Sequence, residues 1–96
     1  LSQLGKLMAS DVKATHLTST GSVFAGRARI KAIHYTCGSS PTLILRNGSG
    51  SGSILLTMVF ANDTDDNVYI PDEGMLFPDG CHATLTNISN VTVFFN

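Results

Sequence analysis

Four side chains of metal-binding type fall in two short pairs: His34 with Cys37 three positions on, and Cys81 beside His82. Two cysteines and two histidines can make a structural zinc site. On a strand, however, adjacent residues point to opposite faces, so Cys81 and His82 do not readily converge on one ion. The alternation around them favours buried thiols at Cys37 and Cys81. A disulfide between the two is the next reading, since two cysteines leave one pairing. Neither a metal nor a cofactor is expected.

Nucleophilic and acid–base chemistry find no better footing. His16, His34 and His82 lie in strand-like stretches with no nucleophile motif beside them. Glu73 is the sole glutamate, and its neighbour Asp72 shares a turn that aims the two carboxylates apart. The run Asn62 to Asn67, "NDTDDN", gathers oxygens that would suit calcium. It lacks the central glycine and distal glutamate of an EF-hand loop and reads as a solvated turn. The chain is expected to be non-enzymatic.

The alternating Gly–Ser run from Gly48 to Ser53 raises two further options, a phosphate cradle and a domain linker. A cradle needs a following helix N-terminus and a G-x-x-x-x-G-K-[ST] or G-x-G-x-x-G spacing. None is present, nor is the G-x-S-x-G of a hydrolase elbow. A linker needs a domain on each side, and the 43 residues after Ser53 are too few for a β-sandwich core. The run is expected to be a mobile hairpin tip inside one fold.

The elements that must carry these residues are strands. In "GRARIKAIHYTC", Ala28, Ile30 and Ala32 fall on one face and Arg27, Arg29 and Lys31 on the other. The phase then slips so that Ile33, Tyr35 and Cys37 become the inward set, which predicts a bulge or a change of sheet near Ala32–Ile33. "TLILR" turns Leu43 and Leu45 inward. "ILLTMVF" is apolar on both sides, with Leu55 and Val59 opposite Ile54, Leu56, Met58 and Phe60. Such a strand is either central or covered by another subunit. "NVYIP" ends at a turn, "MLF" is a short strand between the turns Pro71–Gly74 and Pro78–Gly80, and "CHATLT" and "VTVFF" alternate again. The pattern predicts a single-domain, all-β antiparallel sandwich, jelly-roll-like, of about eight short strands over residues 12–96.

Residues 1–11 are expected to be an N-terminal arm or an upstream remnant, since Met8-Ala9-Ser10 has the look of a natural start. The other reading of this segment is a helical turn on Leu1, Leu4 and Leu7.

The chain has 96 residues, of which 43% are hydrophobic and 14% charged, against a usual charged share of about 25%. A domain of this size buries only roughly 60–65% of its unfolded surface, and so has a thin stability margin. Its net charge is −1, which supplies no field to draw it to nucleic acid or an anionic membrane. No apolar run approaches the roughly 18–20 residues of a membrane span. A surface so poor in charge fits contact with protein, and Leu55, Val59 and Phe94 are the candidate assembly surface. Arg27, Arg29 and Lys31 hold half of the chain's six Lys and Arg. They read as a solvated face, or as a contact for an anionic partner. Asn47, Asn62, Asn87 and Asn90 each open a glycosylation-type triplet and are read as turn chemistry.

The stretches "DVKATHLTSTGSVFAGRARIKAIHY", "IPDEGMLF" and "CHATLTNISNVTVFF" resemble short virion-associated proteins encoded near the structural genes of marine tailed bacteriophages. The similarity covers most of the chain after Met8 and rests on overall pattern, with no catalytic motif. It implies a virion component, either a capsid decoration protein or the head of a small fibre. The expectation is therefore a structural homo-oligomer, a trimer by preference, contacting other virion proteins or a host-surface glycan. The alternative is a carbohydrate-binding sandwich. Its case is thin in the sequence, where there is no Trp and the only tyrosines are Tyr35 and Tyr69.

Overall fold

The computed structural model describes residues 12–96, so the expectations for residues 1–11 lie outside it. Seven antiparallel strands form one continuous sheet: β1 (Lys13–Leu17), β2 (Gly21–Phe24), β3 (Ala28–Asn47), β4 (Ile54–Val59), β5 (Asp65–Tyr69), β6 (Met75–Phe77) and β7 (Cys81–Phe95). The expected all-β antiparallel fold is present, with seven strands in place of about eight. The difference lies in β3 and β7, which run unbroken through segments that read as separate strands.

These two long strands pair with each other from Ile30↔Phe95 to Asn47↔Cys81. Midway, the register passes from Cys37↔Ile88 to Thr42↔Thr86, so Gly38–Pro41 face Asn87 alone. Ser40 (φ 52°) and Asn87 (φ 57°) adopt left-handed backbone there, which Asn tolerates better than most residues. Extra residues on one strand bend a ladder, and here the sheet turns a corner. On one side of it lie β1, the C-terminal half of β7, the N-terminal half of β3, then β5 and β6. On the other lie β2, the N-terminal half of β7, the C-terminal half of β3, and β4.

The two halves fold over each other. Phe24 pairs with Cys81 at the start of β7, yet its ring centroid is 5.0 Å from that of Phe95 at the strand's end. A straight strand of 15 residues would hold those ends about 50 Å apart. The result is a two-layer, sandwich-like body with its core between the layers. Ile30, Ile33, Val91 and Val93 fill it from one layer, Leu43, Leu45, Cys81 and Ala83 from the other, and Phe77 is fully buried among them.

The alternation in the sequence chose these faces. The slip expected near Ala32–Ile33 is a register shift between Ile30 and Ala32, with Lys31 as the extra residue. Because of it Ile30 and Ile33 both point into the core, and Ala32, expected on the face of Ala28 and Ile30, is turned to the outer face instead. The turns follow glycine chemistry at two places where a side chain has no room. A Cβ on Gly52 would lie 1.7 Å from the Asn47 carbonyl oxygen, and Gly74 (φ 87°) would place one 2.5 Å from that of Ile30.

The Gly–Ser run is the tip of the β3–β4 hairpin, closed by the Asn47 N–H donating to Ser53 O at 2.8 Å. Its base is held by the Gly48 N–H, which donates to Gly80 O at 2.9 Å, and a Cβ on Gly50 would lie 3.2 Å from the His82 ring. The Asn62–Asn67 segment is a tight turn into β5. In it Asp63 takes φ 53°, its N–H donates to Gly38 O, and Asn62 Oδ1 accepts from the Ser40 N–H at 2.8 Å.

Candidate functional surfaces

The sequence-level site residues separate onto different parts of the body. Cys37 and Cys81 are both buried free thiols, and the disulfide reading is corrected. Cys37 sits opposite Ile88 at the corner, whereas Cys81 sits opposite Asn47 at the far end of the β3–β7 ladder. The Cys37 thiol lies 3.2 Å from Thr64 Oγ1 and 3.3 Å from Ala61 O, partners it would lose by turning away. Burial pushes the Cys81 thiol up to about 12, so it is neutral and unreactive at physiological pH. Strand alternation also splits the zinc-like pairs. Cys37 and Cys81 point into the core, while His34 and His82 are only partly covered. Among the described residues no three metal-binding side chains converge.

The cationic residues do not form one free row. Arg27 is exposed in the loop before β3, Arg29 is half-buried opposite Leu76, and Lys31 donates through Nζ to Asp72 O at 3.2 Å.

The expected assembly residues lie on two surfaces. The first is β4. This strand pairs with β3 alone, and its other side is an edge of the sheet. Leu56, Met58 and Phe60 pack onto the core, with the Phe60 ring stacked on Tyr35 at 3.7 Å. A register shift beside Arg46 also turns Ile54 outward, leaving Ile54, Leu55 and Val59 at 50%, 41% and 75% exposure. The choice between a central and a covered strand thus falls against the central one. Natural edges are usually protected by charge, proline or brevity. β5 carries Asp65 and Asp66, whereas Ile54–Val59 contains neither a charge nor a proline.

The second surface is the outer face of the layer built from β1, β7, β3 and β5. Register lines its side chains up in rows across the four strands. Ala14, Phe94, Ala32 and Tyr69 form one row, and His16, Thr92, His34 and Asn67 form the next. Phe94 is half-buried, and Tyr69 is 75% exposed. Small Ala32 lies between these rings, and the face there sinks into a depression of about 640 Å³, lined also by Val12 and Lys31. The polar row is preorganised. His16 Nδ1 lies 3.1 Å from Thr92 Oγ1, His34 Nδ1 lies 2.6 Å from Asn67 Oδ1, and His34 Nε2 lies 3.3 Å from Asp65 Oδ1.

Sequence reasoning found Phe94, because the alternation of "VTVFF" turns it away from Val93 and Phe95. It missed the company Phe94 keeps, because pairing of β7 with β3 and of β3 with β5 is non-local. Of the two tyrosines, Tyr35 is buried and Tyr69 is exposed.

Comparison of the chain with protein-family models, with curated proteins and with solved structures finds no match.

Proposed function

We propose that this chain is a non-enzymatic structural module that works by self-association, the role in a virion that its sequence resemblance implies. The observation that carries this reading is the β4 edge, where Ile54, Leu55 and Val59 stand exposed on a strand without charge or proline. A short, uncharged segment rich in β-branched and aliphatic residues invites another strand, either in an ordered assembly or in aggregation.

Magnitudes favour a seam made of both ladder and side chains. Covering the outward side chains of β4 removes a few hundred Å² of apolar surface per subunit, worth several kcal/mol at about 25 cal/mol per Å². Association itself costs roughly 4–15 kcal/mol, so side-chain burial alone leaves little surplus. Strand pairing along the β4 edge satisfies backbone groups at the same time and enlarges the contact. β4 against β4 closes a dimer. β4 against the β1 or β2 edge closes a ring, the arrangement that a trimer would use.

Light scattering at micromolar concentration tests the proposal. The wild-type chain is expected at a multiple of its 10.2 kDa mass, and Val59→Lys at that mass, with unchanged folding. A wild-type monomer would contradict it.

A further inference from the structure

We infer that the depression between Phe94 and Tyr69 is a binding site for a neutral pyranose sugar, independent of the β4 seam. A pyranose ring has an apolar face of C–H groups and a rim of hydroxyls, so it asks for an aromatic surface beside a row of fixed hydrogen-bonding groups. The outer face provides that pair of features in consecutive rows. Tyr69 and Phe94 flank Ala32, and Thr92, His34 and Asn67 stand one row away.

The size fits a small ligand: about 640 Å³ lies inside the roughly 300–1,000 Å³ of such sites. The charge fits a neutral one. Lys31 borders the depression and Asp65 stands against His34, one cation and one anion, so neither sign dominates. The polar groups are held before any ligand arrives, by His34 Nδ1 against Asn67 Oδ1 and His16 against Thr92. Holding them in advance reduces the ordering cost of binding. A sugar's hydroxyls, each donor and acceptor, can meet the hydrogen-bonding positions that these mutual pairs leave open.

The test is an NMR titration of the full chain with methyl glucoside, methyl galactoside and methyl mannoside, up to tens of millimolar. At least one sugar is expected to give saturable amide shifts confined to Lys31–His34, Asn67–Tyr69 and Thr92–Phe94. Tyr69→Ala, at an exposed position, is expected to keep the fold and the assembly mass while weakening that sugar at least tenfold. Three results would overturn the proposal: no saturable shift with any of the sugars, shifts that survive Tyr69→Ala, or the same amides moving with protein concentration alone. The last would make this face a contact between copies. The β4 proposal is read from mass, so either one can fail without the other.

Discussion

Asn47 and Asp79 clasp one another through two hydrogen bonds: Asn47 Nδ2 donates to Asp79 Oδ2 at 2.9 Å, and the Asp79 N–H donates to Asn47 Oδ1 at 3.0 Å. The first residue ends β3 and the second lies in the β6–β7 turn, 32 positions away. The clasp fixes the hairpin that presents β4 to the turn that carries the chain into β7. Asn47→Ala is expected to cost about 1–2 kcal/mol in urea unfolding, the worth of two exposed bonds of this kind. It should also speed proton exchange in Gly48–Ser53. An unchanged unfolding midpoint and exchange rate would show that the clasp holds nothing.

Gly52 and Gly50 sit two residues apart in the same loop and should respond differently to a methyl group. At Gly52 the new Cβ meets backbone oxygen at 1.7 Å, so the turn must rebuild. At Gly50 it meets the His82 ring at 3.2 Å, and a ring can give way. Gly52→Ala is expected to destabilise by about 1–3 kcal/mol, the scale of local backbone strain, and Gly50→Ala by less. Thermal unfolding of the two variants side by side checks the order.

The Cys81 thiol makes stability fall in alkali. Its folded value of about 12 lies above the ordinary 9.0, so between them the unfolded chain has released a proton that the folded chain still holds. Fewer protons on the unfolded state means that unfolding becomes easier as pH rises through this window. Cys81→Ala removes the thiol, at the cost of a small cavity. The wild type is therefore expected to lose more stability than Cys81→Ala between pH 8.5 and about 11. Parallel losses would place the thiol in water.

Strand faces were legible in the sequence because alternation is local: Ile33, Tyr35, Cys37, Leu43 and Leu45 turn inward as the period of two requires, even across the bulge at Lys31. The corner was not legible. Gly38–Pro41 and Asn87 read as ends of strands, and only their pairing across the ladder shows that β3 and β7 continue through them. The candidate surfaces divide in the same way. Leu55 and Val59 announce themselves within one strand, whereas the Phe94–Ala32–Tyr69 row joins three strands that the sequence keeps far apart.

β4 as a seam between copies is tested most directly by amide hydrogen exchange along Ile54–Val59. The β4 amides that do not bond to β3 are predicted to be protected at high protein concentration and to exchange freely on dilution or in Leu55→Lys/Val59→Lys. Rapid exchange of those amides at every concentration, in a chain otherwise well protected, would contradict it.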